Sequence, residues 1–515
     1  MSSNASLTPL SSESTPASVL QARLPRLSAE FLAKHYPKQA SVVHVGVVHR
    51  HGERTPGCHR LPNISPENWN LCSRGASLHA AFAQAAGLPA TLPSHAHVFP
   101  QGQRNLGAIF GASTLETPES KSQNAKGRCD WGQLTDVGRA SMTKLGAHLR
   151  ALYVDALGFL PENPQGKLYL RSSMYVRAIE SLQHTLGGLY PDQEPGKQSF
   201  RINIRPVSHE TMFPSLGYAA MSRLFEGVGA LANRKNCEEY QKLDAELRAI
   251  PELKDYFASE VQVQKTPVAI EVLDVVGSMR IHGLAVPAIF DDALVKRLTS
   301  GGVIEWFHSS WSMPALARMQ IGPFVRELVD EVVDAVESDR AGRPAQRQMS
   351  IYSGHDTTIG PLMAVLGSDP AKLTVPADLS WPQFASSLRF ELLKDSESPY
   401  PTVRPAWEDE RRIYADKAEM IPFDKRVRPT NVPDALYQWP KDGRRNPRAT
   451  RDYYVRVWYN DRVLVLPTCK DPGAHHTQMG SGVCTLDGFF KQIARFVPSE
   501  REAASECRAS VVTKN

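Results

Sequence analysis

Two hydrophobic patterns alternate along the chain: short unbroken apolar runs, and longer stretches with apolar residues at helical spacing. The Val-rich run "SVVHVGVV" (41–48), followed by Gly52 and Pro56, predicts a buried strand. "KLYLRSS" (167–173) and "QMSIYSGHD" (348–356) predict a second and a third. Residues 131–153 read as a helix capped by Thr135, with Asp136 in its first turn and Val137, Leu145, Leu149 and Leu152 as its apolar stripe. The second strand runs into a helix with Val176, Ile179, Leu182 and Leu186 at helical spacing, closed by Gly187 and Gly188. The third leads into "TTIGPLMAVLG", with Pro361 in its first turn and Gly367 just past its end. "LRFELL" (388–393) adds a strand, and "YYVRVWYN" with "DRVLVLP" (453–467) a hairpin turning near Asn460-Asp461. Strands alternating with helices predict an α/β fold with a mixed, largely parallel sheet flanked by helices.

The same patterns divide the chain. Residues 39–194 and 341–500 are expected to form the α/β core. Residues 195–340, mainly helical in pattern as in "PFVRELVDEVVDAVESD" (323–339), are expected to be an inserted helical cap. Residues 1–38 and 501–515 are expected to be tails, the first disordered, and 395–450 a charged, Pro-rich surface excursion of the core. Residues 57–129, rich in Pro, Gly and Ala, carry no pattern that assigns elements. No internal repeat interrupts this plan.

Composition changes the picture little. With 42% hydrophobic and 22% charged residues the chain resembles an ordinary soluble protein, and no apolar run reaches membrane-span length. A net charge of +5, without a dense Lys/Arg tract interleaved with aromatics, gives no reason to expect nucleic-acid binding. The first residues lack the basic and apolar regions of a secretory signal, so an intracellular, cytoplasmic protein is expected. The alternative is a mitochondrial one, since the N-terminus is Ser-rich and acid-poor with Arg23 and Arg26. Seven cysteines, an odd number, are then expected to be mostly reduced.

Chemistry collects where three predicted strands end: Arg50-His51 with Arg54, Arg171 with Arg177, and His355-Asp356. Ligands of open parallel sheets sit in the crevice outside the carboxyl ends of the strands, so these clusters should share one pocket. Crowded guanidinium groups repel one another unless an anion lies among them, and phosphate matches their forks bidentately. Cationic neighbours disfavour protonation of His51, which keeps its ring nitrogen nucleophilic in mild acid. Attack on phosphorus would yield a covalent phosphohistidine, and Asp356 is the carboxyl group placed to protonate the departing alkoxide.

"RHGERTP" and "SGHD" resemble the two signatures of the histidine acid phosphatases, and "GQLTDVG" and "RSSMYVR" are similar to further segments of that family in the same order. The resemblance spans roughly residues 40–500 and is strong at the motifs. It implies a phosphoglycerate-mutase-like α/β fold with a helical cap and an acid phosphatase that hydrolyses phosphate monoesters. His51 would be the nucleophile, Asp356 the proton donor, Arg50, Arg54, Arg177 and His355 the phosphate ligands, and Arg171 a supporting residue. "RSSMYVRAIES" and "DVVGSMRIHGLAVP" look closest to lysophosphatidic acid phosphatase-type members, while "YVRVWYNDRVLVLPTC" and "CTLDGFF" are similar to fungal acid phosphatases and phytases. Met174, Tyr175 and Val176 stand where many relatives have acidic residues, which favours a lipid-like or bulky ester.

Other readings compete at single positions. Cys469, His475, His476 and Cys484 match no standard zinc spacing and are read as a loop, and no cofactor or metal is expected, since no magnesium-type carboxylate cluster accompanies the motifs. Cysteines near Cys469 and Cys484 pair in secreted members of the family, but the missing secretion signal argues for free thiols here. His44 and His49 are read as packed or hydrogen-bonded. Asp274 and His282 belong either over the pocket or to an ordinary helix end. The rival functions are a phytase-like inositol phosphate phosphatase, a phosphoglycerate-mutase-like phosphoryl transferase, and a catalytically silent phosphate-binding module. Nothing in the pattern addresses oligomeric state.

Overall fold

A computed structural model describes residues 24–72, 128–164, 166–191, 200–213, 237–258, 268–308, 314–343, 347–367, 381–395, 397 and 451–497. The strands are β1 (Ser41–Arg50), β2 (Leu168–Ser172), β3 (Ile202–Ile204), β4 (Met349–Gly354) and β5 (Ser387–Lys394), then β6 (Tyr453–Tyr459), β7 (Arg462–Leu464), β8 (His475–His476) and β9 (Gly480–Thr485). They join one sheet in the order β3-β2-β4-β1-β5-β6-β9-β8, with β7 paired to β6. Pairing is parallel from β3 through β2 and β4 to β1 and antiparallel beyond. The sheet is therefore mixed, and its parallel half carries the polar strand ends. The hairpin turns at Asn460, whose positive φ of 53° suits a two-residue loop between the paired Tyr459 and Arg462.

Helices α1 (Ala29–His35), α2 (Asp136–Arg150) and α3 (Val176–Leu189) precede the insertion, α4 (Glu238–Arg248), α5 (Val268–Ile281) and α6 (Asp292–Trp306) lie within it, and α7 (Pro314–Arg340), α8 (Asp356–Gly367) and α9 (Leu486–Ile493) follow. Alternation along β1 separates two cores. Val45 and Val47 pack with Leu149 of α2 and Leu182 and Leu186 of α3, whereas Val48 faces Phe324 and Leu328 of α7 and Ile359 of α8. Thr135 caps α2 as expected, its hydroxyl accepting from the Gly138 N–H at 3.2 Å. A third cluster joins α4, α5 and α6 through Leu243, Val272 and Leu298, and buries Leu61 and Trp69 from the stretch that carried no sequence pattern.

Four expectations need correction. The long helix α7 belongs to the sheet layer and not to the cap, because its apolar stripe (Phe324, Leu328, Val332) is buried against strands β1 and β4. Residues 24–38 of the expected tail are ordered by polar docking. Tyr36, Tyr153, Arg456 and Trp458 all donate to Glu391, at 2.6, 2.5, 2.7 and 2.8 Å, and the His35 carbonyl accepts from Arg456 at 2.6 Å. Burial pushes the Glu391 carboxyl up, but Arg456, Arg389 and the tyrosine hydroxyls outweigh it and hold it at about 2. Pro361 lies beyond the first turn, since α8 already starts at Asp356. The cysteines are not mostly reduced, and Cys469 and Cys484 are not free thiols: Cys72 pairs with Cys129 and Cys469 with Cys484, because folding brings each pair's Cα atoms to 5.3 Å, well inside disulfide reach. The 73–127, 398–450 and 501–515 stretches, and the tail before residue 24, lie outside the described residues.

Candidate active site

The register of the parallel strands sets the site. Arg50 pairs with Gly354 and Ser172 with Ser353, so β1, β4 and β2 end at one edge of the sheet. Two backbone bonds carry the register one residue further, from His51 N–H to Gly354 O and from Ser173 N–H to Ser353 O, both at 3.0 Å. The loop after β1 is clamped from behind: Gly52 N–H donates to Ser181 of α3 at 3.1 Å, and Thr135 N–H to Glu53 O at 3.0 Å. Gly52 and Gly138 meet so closely that a Cβ on Gly52 would lie 2.6 Å from the Gly138 carbonyl oxygen.

His51 is buried at this edge, 1% exposed, with Nδ1 2.9 Å from the Gly52 carbonyl oxygen. A carbonyl can only accept, so Nδ1 carries the ring proton and Nε2 keeps its lone pair. Burial holds its pKa well below the usual histidine value, and Arg177, Arg50, His355 and Arg54 push it the same way. His355 is also buried and kept neutral, by burial first and then by Arg177, Arg50 and Arg54. The two imidazoles meet edge to face at 5.4 Å between centroids, and Ser173 holds His355 Nε2 at 2.7 Å.

Three guanidinium groups surround the pair. Arg50 reaches Asp356 (Nη2 to Oδ2, 2.7 Å), donates to the Pro382 carbonyl at 2.5 Å, and lies 4.2 Å over the Phe384 ring. Burial lowers its pKa although Asp356 opposes the shift. Arg54 pairs with Asp274 at 2.8 Å and also donates to Thr55 O. Arg177 stacks on Tyr175 at 4.6 Å; burial, then Arg54, lower its pKa to about 10. Asp356 opens α8, where its Oδ1 accepts the Thr357 N–H at 2.8 Å.

The structure thus brings Arg50, His51, Arg54, Arg177, His355 and Asp356 together. Arg171 is elsewhere: fully buried within β2, it pairs with Glu210 and Glu327 and donates to Thr211 at 2.7 Å, on the face covered by Phe324 of α7. His44 pairs with Glu331, and His49 is buried with Nδ1 3.2 Å from the Arg50 carbonyl. His475 and His476 are engaged by the Cys469 carbonyl at 2.8 Å and by Asp395 at 3.1 Å. Asp274 does reach the pocket, whereas His282, at the end of α5, binds Thr135 at 2.8 Å.

Sequence reasoning missed the aromatic frame. Phe384 lies 5.7 Å from the His51 ring, and Tyr175 and Phe213 lie 4.9 and 5.8 Å from His355. Tyr175 was visible as an apolar departure between two arginines. Phe384 and Phe213 sit in irregular segments, where no periodicity marks a residue as facing a site. An arrangement of neutral buried imidazole, convergent guanidinium groups and the Asp356 carboxyl group can bind a phosphoryl group, attack it and protonate what leaves.

Residues 41–406 match the sequence profile of the histidine phosphatase superfamily (branch 2). A probable acid phosphatase of Schizosaccharomyces pombe is 26% identical over 481 residues, covering 90% of this chain and 94% of the relative. The lysophosphatidic acid phosphatase type 6 of Homo sapiens is 27% identical over 53% of this chain and 59% of its own length. Among solved structures, the Hafnia alvei phytase in complex with myo-inositol hexakis sulphate aligns with a TM-score of 0.49 at 13% identity, covering 92% of this chain and all of that one. The chain belongs to the histidine phosphatase superfamily, branch 2, as a phosphomonoester hydrolase of the acid phosphatase kind.

Proposed function

We propose that the phosphomonoester is cleaved in two steps through a phosphohistidine on Nε2 of His51. The phosphoryl oxygens engage Arg50, Arg54, Arg177 and His355. The Nε2 lone pair forms the P–N bond as the P–O bond to the leaving group breaks, and the Asp356 carboxyl gives its proton to the departing oxygen. Water then attacks phosphorus, the P–N bond breaks, the Asp356 carboxylate takes the water proton, and phosphate is released. Arg171 acts behind the site by tying β2 to Glu210 and Glu327.

The observation that carries this reading is the tautomer of His51: its Nδ1 is spent on the Gly52 carbonyl while the ring stays neutral beside three guanidinium groups. The leaving group is proposed to be bulky and apolar, as in lysophosphatidate. Tyr175 and Val176 are 45% and 52% exposed beside Arg177, and Trp131 precedes Gly132, whose Cβ position lies 3.6 Å from Arg177 Nη1.

Trapping tests the mechanism. Protein quenched in alkali during turnover of a phosphorus-labelled ester should keep acid-labile label, and His51→Ala should carry none while still binding inorganic phosphate. Label retained in that variant removes His51 as the nucleophile.

A further inference from the structure

The helix α5 of the insertion reaches into the site through one side chain. Asp274 Oδ1 holds Arg54 Nη1 at 2.8 Å and Oδ2 accepts the Gly57 N–H at 2.8 Å, so its carboxylate is fixed at both oxygens. One turn earlier Glu271 pairs with Arg60 at 3.2 Å and accepts from Tyr256 at 2.7 Å, and one end of the same helix binds Thr135 through His282. The helix is therefore seated on the segment that carries Arg54, and Asp274 does not need to move to stay at the pocket. Arg177, in contrast, has no carboxylate within ion-pair distance among the described residues and rests on Tyr175.

We propose that Asp274 is a specificity-determining residue that matches the cradle to a single phosphoryl group and discriminates against substrates or ligands bearing several phosphates. Three guanidinium groups face the Asp274 carboxylate, which pairs with Arg54, and both imidazoles are neutral. With the proton loaded on Asp356, two net positive charges remain, the complement of one phosphoryl dianion. A second phosphate on the same ligand gains no further counter-charge and meets the Asp274 carboxylate from the insertion side. Like charges placed across a binding surface reject wrong ligands more effectively than they strengthen right ones. The inference rests on the phosphohydrolase reading for the identity of the anion and goes beyond it by assigning the charge selection to one residue of the insertion.

The test compares wild type with Asp274→Asn, which keeps the shape, and Asp274→Glu, which keeps the charge. Calorimetric titration with inorganic phosphate and with pyrophosphate reads the cradle without turnover, and kcat/KM for inositol hexakisphosphate against 2-naphthyl phosphate reads it with turnover. In the Asn variant both ratios of polyphosphate to monophosphate ligand should rise about tenfold at low ionic strength and less in high salt, the size expected when one nearby charge is removed. The Glu variant should keep the wild-type ratios. Ratios unchanged in the Asn variant, or equal losses of both ligands, overturn the proposal and reduce Asp274 to a packing contact. If the Asn variant does not fold, Asp274→Ser, which also removes the charge, takes its place. Wild-type protein that binds both anions but hydrolyses no ester would end the hydrolase reading, while the binding ratio would still decide the role of Asp274.

Discussion

A histidine surrounded by arginines keeps its lone pair for two reasons that act in the same direction. His51 is buried, which alone penalises the imidazolium, and three guanidinium groups add repulsion. The Gly52 carbonyl then selects the tautomer, so nucleophilicity is assigned to Nε2 by a backbone atom next in the chain. Arg171 and Arg177 show how far apart two similar residues can be: one is used up by Glu210 and Glu327 within a strand, the other stands at the helix start facing the site. Their separation of six residues does not reveal this, because one lies inside the pleat and the other after it. Asp356 carries the prediction at this scale. Asp356→Asn should slow alkyl phosphate hydrolysis by about 10²–10⁴, the usual contribution of a general acid, and affect an aryl ester with a good leaving group much less. Equal losses in steady-state kcat for both esters would take Asp356 out of proton transfer.

The working unit is the strand–turn–helix, used by β2 with α3 and by β4 with α8, while the neighbouring β1 ends in the loop that carries His51 and Arg54. Both turns were legible because a short apolar run ends in polar residues and a helical period begins within a few positions, and the end of β1 was legible from its Val-rich run closing on Arg50 and His51. What the pattern could not supply was the partner surface of each helix. The stripe of α7 (Phe324, Leu328, Val332) has the same period whether it covers a cap or a sheet, and only β1, β4 and β5 decide the matter. Helix α1 was equally hidden, since its docking depends on Glu391 far along the chain. The first turn of α2 carries a testable constraint. Gly138 packs against the Glu53 backbone, so a methyl group there must displace the loop that presents His51 and Arg54. Gly138→Ala should cost about 1–3 kcal/mol of stability, the usual size of overpacking, and lower kcat/KM as well. Chemical denaturation and steady-state kinetics check both, and a variant as stable and active as wild type would show that the close approach is dispensable.

Over the whole molecule, buried neutral imidazoles couple stability to pH. Burial lowers the pKa of His49 from 6.5 to about 4, and those of His51 and His355 also lie well below 6.5. Between the unfolded and folded values the unfolded chain binds more protons, so stability is full above pH 6.5 and falls as pH drops toward the folded values. Each such group contributes a slope of about 1.4 kcal/mol per pH unit within its window. Urea midpoints should therefore decrease from pH 7 to pH 5, and inorganic phosphate, which binds only the folded cradle, should raise them. A flat midpoint across that range would mean that these rings are protonated in the folded state. The disulfides Cys72–Cys129 and Cys469–Cys484 belong to this scale too, each closing a loop whose ends meet only after folding.

The amino-acid sequence alone determined the α/β class, the strand ends that hold Arg50, His51, His355 and Asp356, and the cap of α2 at Thr135, because these depend on hydrophobic period and on side chains adjacent in the chain. Tertiary structure decided which helices cover the sheet, which cysteines meet, that Arg171 turns away, and that Asp274 reaches Arg54 from 220 residues downstream. Those outcomes are contacts between distant segments, and local periodicity carries no information about the surface on which a segment lands.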